Sequence, residues 1–168
     1  MTSPGNEIEV VVEDAGWTAL LPKAQALVQI AARAALAAAG AEAEGEIVVL
    51  LTNDAEVRGL NARFRGKDAT TNVLSFPAPA TAPALIPGSL GDIALALGVC
   101  RAEAAVQNKT LSAHLQHLVT HGVLHLLGYD HEIEAEAEAM ETMERTVMAG
   151  LGEADPYAAH EGVEAPHG

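Results

Sequence analysis

"TNVLSFPAPATAPALIPGSLGDIALAL" spans residues 71–97, and its reading decides the fold. The two ends, "TNVLSFP" (71–77) and "GDIALAL" (91–97), read as strands, each a short apolar run beside turn-forming residues. Residues 77–90 between them carry four prolines, and proline lacks the backbone N–H that a helix needs. Parallel neighbours are joined by a long crossover, usually a helix. No helix fits here, so the fourth strand is expected to run antiparallel.

Working outward, "IEVVVED" (8–14) is a strand dense in β-branched residues, and "EIVVLLT" (46–52) is a continuous apolar run expected to be buried on both faces. Pro22 opens a helix that runs to about Ala39, with Gly40 as its stop. Asn53 caps a helix over about 54–64, with Val57, Leu60 and Phe64 facing inward. Two strand–helix–strand units imply parallel, right-handed crossovers. Further helices are expected over about 99–108, 111–127 and 132–149. The result is an α+β fold: a mixed four-stranded sheet with one antiparallel strand, covered by about five helices. Residues 1–152 form a single domain, and 153–168, with Pro156 and Pro166, a loosely ordered tail.

The 168 residues suit one domain with a substantial core. No stretch approaches the roughly 18 apolar residues of a membrane span. The start, "MTSPGNEIEV", has neither basic residues nor an apolar core, and Cys100 is the only cysteine, so neither a disulfide nor a thiolate metal cluster forms within the chain. A cytoplasmic protein is expected. A net charge of −14 opposes unspecific attraction to nucleic acid. Yet Arg58, Arg63, Arg65 and Lys67 gather within ten residues, so a polyanion is bound, if at all, at one local patch. The acid run Asp130, Glu132, Glu134, Glu136, Glu138, Glu141 and Glu144 reads as a solvated face.

Chemistry concentrates in "HGVLHLLGYDH" (121–131). His121 and His125 stand one helical turn apart and project from the same face. Gly128 lies where a left-handed residue ends a helix, after which His131 can return toward the same point. Three imidazoles on a tetrahedral ion leave a fourth position open, the mark of a catalytic rather than a structural site. The spacing H-x-x-x-H-x-x-G-x-x-H is shared with a large group of zinc proteases, but those place a glutamate directly after the first histidine. Here that position is Gly122, so peptide hydrolysis by that route lacks its base. His117 and His114 lie about 6 and 10 Å back along the helix, too far for both to be ligands. His117 orients a ligand, meets the substrate or simply packs. Asp130 either accepts a hydrogen bond from a ligating imidazole or caps the next helix. Arg65, before Gly66, has two readings: a cation stabilising a helix C-terminus, or a guanidinium that clamps a phosphate.

"HGVLHLLGYDH", "LNARFRGKDATTNVLSFP", "LGDI" and the late "DPY" resemble, in order, the motifs of the bacterial YbeY-type endoribonucleases, or rRNA maturation factors. The resemblance covers about residues 46–157. Asn72 stands where many members have aspartate, and Thr70 where proline is common. The resemblance implies a zincin-like fold, a Zn2+ ion on His121, His125 and His131, and action on single-stranded RNA during maturation and quality control of ribosomal RNA, including the 16S 3′ end. It places the functionally important arginine at Arg65 and Ser75 beside the cleft. Arg63, Lys67, Ser75 and His117 are then the expected substrate contacts. Ribosomal components are the expected partners; neither DNA nor a membrane is. The alternatives are an assembly factor with a structural metal, or a metallopeptidase whose base lies elsewhere. The general base is open between water at the metal, His117 and the RNA's own 2′-hydroxyl.

Overall fold

The computed structural model describes residues 7–40, 45–77, 89–129, 134–153 and 155–157. In chain order the elements are β1 (Glu7–Val12), α1 (Gly16–Leu20), α2 (Ala24–Ala38), β2 (Glu46–Thr52), α3 (Asp54–Arg65), β3 (Val73–Pro77), β4 (Ser89–Ala96), α4 (Leu97–Val106), α5 (Leu111–Leu126) and α6 (Glu134–Gly150). The strands form one mixed sheet in the order β1-β2-β4-β3. The short helix α1 is additional to the expected five, and α2 begins two residues after Pro22.

One strand is reversed, as expected, but it is β3 rather than β4. Both β1–β2 and β2–β4 are parallel, whereas β3 pairs antiparallel with β4, Ser75 opposite Ile93. The second strand–helix–strand unit therefore does not place β3 beside β2. The chain passes over to the sheet edge, and β4 returns to fill the place next to β2. That leaves the outer side of β3 as an edge, and the edge borders the site.

The side-chain alternation of the strands divides the core. Ile47, Val49, Leu51, Ile93 and Leu95 pack with Val28, Ala31, Ala35, Leu115, Val119 and Val123 in one cluster. A smaller cluster joins Val57 to Leu74, Ala94 and Ala96. β2 is thus not buried on both faces: Val48 and Leu50 stay partly exposed. Asn53 caps α3 as expected, its side chain accepting from Glu56 N at 2.8 Å. Val57 is inward and Leu60 half-buried, but Phe64 is 62% exposed. The aromatic contact of Phe64 is Phe76, on the edge strand β3.

α5 is the central helix, packed on α2, α4, α6, β3 and β4. It lies close to the sheet because Gly122 faces it. A Cβ at this position would stand 3.1 Å from two Ile93 carbons and 3.2 Å from Ser75 Oγ. Of the expected loose tail, Pro156 is buried and Lys109 Nζ donates to its carbonyl at 2.6 Å. Tyr157 N donates to Asp155 Oδ1 at 2.8 Å, and Arg145 lies 5.2 Å from the Tyr157 ring centre. Residues 158–168 are outside the described ones.

Candidate metal centre

The site is built on the second half of α5. His121 and His125 bring their Nε2 atoms within 3.0 Å of each other. What each Nδ1 does fixes the rest. His125 Nδ1 lies 2.9 Å from the carbonyl oxygen of Tyr129, which can only accept, so this nitrogen carries the proton. Gly128, at φ 102°, turns the chain so that this carbonyl comes back to the helix end. His121 Nδ1 lies 3.1 Å from Glu144 Oε2.

Glu144 comes from α6 and is 1% exposed. Burial pushes its pKa up, but the hydrogen bonds it accepts from His117 and His121 outweigh this and hold it at about 2. As a carboxylate it only accepts, so His121 Nδ1 donates. His117 Nε2 donates to Glu144 Oε1, and Tyr157 Oη donates to the same oxygen at 2.7 Å. Burial and the carboxylate raise the Tyr157 pKa, which keeps the phenol protonated. Burial lowers that of His117 despite the carboxylate beside it.

With both Nδ1 atoms donating, both Nε2 atoms present lone pairs to each other. Two lone pairs this close repel unless they share an electrophile, a proton or a metal ion. Two imidazoles on a tetrahedral zinc, at 2.0–2.1 Å each, stand about 3.3 Å apart. The residues therefore fit a metal, and the partners of each Nδ1 are those that commonly orient a ligating histidine. Among the described residues no third histidine, cysteine or carboxylate completes the set. His131 and Asp130 lie outside them.

The two histidines line a cleft of about 460 Å³ along β3, together with Arg65, Asn72, Ser75 and Pro77. Arg65 ends α3, with Gly66 as the C-cap, and reaches across the sheet edge. Its Nη2 donates to the Ser75 carbonyl, and its guanidinium carbon lies 5.4 Å from the Phe76 ring centre. It thus combines a helix-end position with a place in the cleft. Ser75 lines the cleft although its Oγ is committed to the Gly122 carbonyl at 3.3 Å. Arg63, which lies over Phe64, and exposed Lys67 are near neighbours in sequence but do not line the cleft. Arg58 is paired with Asp68 at 2.7 Å. His117 is not in the cleft either: it lies behind the metal centre, on Glu144. His114 is 3% exposed and donates Nε2 to Glu103 at 2.9 Å.

This chain is similar to known proteins over nearly its whole length. Residues 13–152 match the family described as Endoribonuclease YbeY. The chain belongs to the endoribonuclease YbeY family. An endoribonuclease YbeY from Azorhizobium caulinodans is 52% identical over 154 residues, covering 90% of this chain and 96% of that one. One from Rhodopseudomonas palustris is 50% identical over 159 residues, covering 92% and 91%. The solution structure of TM1509 from Thermotoga maritima is 23% identical with a TM-score of 0.53, covering 96% of this chain and all of that one, and supports the fold. The activity of this YbeY-family chain is endoribonucleolytic, a hydrolase acting in rRNA processing.

Two features escaped sequence reasoning. Glu144 lies in sequence within an acid run that reads as a solvated face, yet Met140, Glu144, Val147 and Met148 form the buried stripe of α6. An acid at a core position of an apolar stripe was the available signal. The departure at Asn72 also has a local reason. Its Nδ2 donates at 2.9 Å to the Glu103 oxygen that also accepts from His114, where an aspartate would set two carboxylates together.

Proposed function

We propose that this cleft is where the YbeY-family enzyme cuts single-stranded RNA, in cytoplasmic maturation of ribosomal RNA and in contact with ribosomal components. His121, His125 and His131 hold one Zn2+ ion. Bound there, the ion supplies Lewis acidity toward a phosphate oxygen or a water. The remaining work falls to the chain. Glu144 and the Tyr129 carbonyl keep the two imidazoles in the tautomer that offers Nε2. Arg65 holds the scissile phosphate beside Ser75, which lines the same cleft, and Arg63 and Lys67 steer the backbone toward it. His117 acts through Glu144 as a positioning residue.

The observation that carries this reading is the convergence of the two Nε2 atoms with Arg65 in one cleft. A specific contact argues against a peptide substrate. An extended peptide would bind by pairing with the edge of β3, but the Ser75 carbonyl on that edge is engaged by Arg65. The test is metal content together with cleavage of a single-stranded RNA. His121→Ala and His125→Ala should lose both, and His114→Ala should keep its metal. Full cleavage by a protein stripped of metal, or equal metal loss in His114→Ala, refutes the assignment.

A further inference from the structure

Aromatic residues make up only 3% of this chain, and one of its two phenylalanines is left in water. Among the exposed large apolar side chains of the described residues, Leu20, Ile30, Phe64 and Val106, Phe64 is the only aromatic. Its surroundings are specific. The Phe76 ring lies 5.6 Å away, centre to centre, edge-on at 63°. The Arg63 guanidinium lies 5.6 Å from the Phe64 ring centre. Arg65, which lines the cleft, lies 5.4 Å from the Phe76 ring centre. Two adjoining aromatic rings are thus flanked by two guanidinium groups, Arg63 on Phe64 and Arg65 on Phe76, and the chain of contacts ends at the metal cleft that Arg65 lines.

Arginines interleaved with an exposed ring suit one ligand chemistry. Phosphates pair with the guanidinium groups, and a base stacks on the ring; such stacking tolerates any base because each has a π-face. A duplex keeps its bases stacked inside, so the ring is useful only to a single strand.

We propose that Phe64 is a stacking platform for a nucleobase of the bound strand, next to the nucleotide whose phosphate Arg65 holds, and that this contact contributes to the enzyme's preference for unpaired RNA. The inference rests on the reading of the cleft as the RNA-cutting site. The exposed ring is a binding group, and its role is in holding the strand rather than in the bond-breaking step.

The experiment uses the full-length, metal-loaded protein and single-stranded oligoribonucleotides. Phe64→Ala and Phe64→Leu should raise KM by about 5- to 150-fold, the range expected for one lost base stack, with kcat little changed. Phe64→Tyr and Phe64→Trp should keep KM near the wild-type value. The salt dependence of KM should be unaltered in Phe64→Ala, since no phosphate contact is lost. In Phe64→Trp the added indole is exposed, whereas the native Trp17 is fully buried. Its fluorescence should be quenched by the oligonucleotide, and much less by one of equal length lacking bases. Wild-type KM in Phe64→Leu, or equal quenching by the base-free strand, overturns the proposal. The proposal and the reading beneath it fail differently. RNA cutting with no response at position 64 removes the platform alone. Base-dependent quenching without RNA cutting leaves the platform standing and removes the catalytic reading.

Discussion

Removing the Glu144 carboxylate tests how the metal centre is held. Three donors converge on this side chain: His117 Nε2 and Tyr157 Oη on one oxygen, His121 Nδ1 on the other. In Glu144→Ala, His121 Nδ1 loses the carboxylate acceptor that holds its proton there, which favours a turned ring or a proton on Nε2, facing His125. Either change must be reversed before a metal can bind. Loss of such a supporting partner typically lowers metal affinity 10–100-fold, or about 1.4–2.7 kcal/mol. The two buried donors left behind, on His117 and Tyr157, cost about 1–3 kcal/mol each where water does not reach them. Tyr157→Phe removes one of the three bonds and leaves the other two, so metal affinity should fall by less than tenfold. Competition with a chromophoric chelator measures the affinity, and ¹⁵N spectra of the histidine rings in metal-free protein read the tautomer directly. The wild type should show His121 protonated at Nδ1, and Glu144→Ala should shift it toward Nε2. A folded Glu144→Ala protein that binds zinc within twofold of wild type would refute the reasoning.

Arg65→Lys keeps the charge at the end of α3 but loses the planar fork. It should retain metal and fold while cleavage falls on the order of 10²–10³-fold, and wild-type cleavage would reduce Arg65 to a helix-end cation. Gly122→Ala gains about 1 kcal/mol of helix propensity and loses about 1–3 kcal/mol to crowding against Ile93 and Ser75, so thermal unfolding should show a small net loss; a clear gain would mean that α5 moves off the sheet freely. Glu103 is pushed up by burial, but hydrogen bonds from His114 and Asn72 hold it below the usual glutamate value of about 4.3. Its contribution is then present above that value and lost as pH falls through the lower folded one. The melting-temperature gap between wild type and Glu103→Gln should be open at pH 7 and close below about pH 4.

The elements were legible where one signal dominated. β-branched runs marked the strands, Asn53 and Gly66 marked the ends of α3, and the helical spacing of His121 and His125 carried over directly. What failed was non-local. The prolines argue against a helix between β3 and β4, in a segment outside the described residues, but which of the two strands is reversed depends on which claims the place beside β2, and no local pattern encodes that choice. Phe64 falls on the inward stripe of α3 by periodicity, yet it lies against Phe76 of the edge strand β3 and stays largely exposed. Glu144 was hidden because its neighbours in sequence are solvated acids, while its partners, His117, His121 and Tyr157, come from outside α6.

The absence of a carboxylate at position 122 bears on more than the missing protease base. Gly122 presents its open side to Ile93 and Ser75, and its carbonyl accepts from Ser75 Oγ, so α5 and β3 meet there without a side chain between them. A glutamate at this point would part the helix from the edge strand or turn toward the cleft beside the two imidazoles. For a peptide carbonyl, an anion in that position is the base. For a phosphodiester, already negative, it is a repulsion of the kind that a chain carrying −14 must keep out of its binding site. The acid that the centre does use, Glu144, is held behind His121 with its charge spread over three hydrogen bonds. Among the described residues that line the cleft, the charged side chain is Arg65. Local charge in the cleft therefore opposes the charge of the whole protein. An acidic surface with a cationic cleft discourages unspecific contact with nucleic acid and leaves productive contact to strands that can reach Arg65. Moving the balance at this one point, as in Gly122→Glu, should abolish RNA cleavage without creating peptide hydrolysis, because the edge a peptide would pair with remains occupied by the guanidinium.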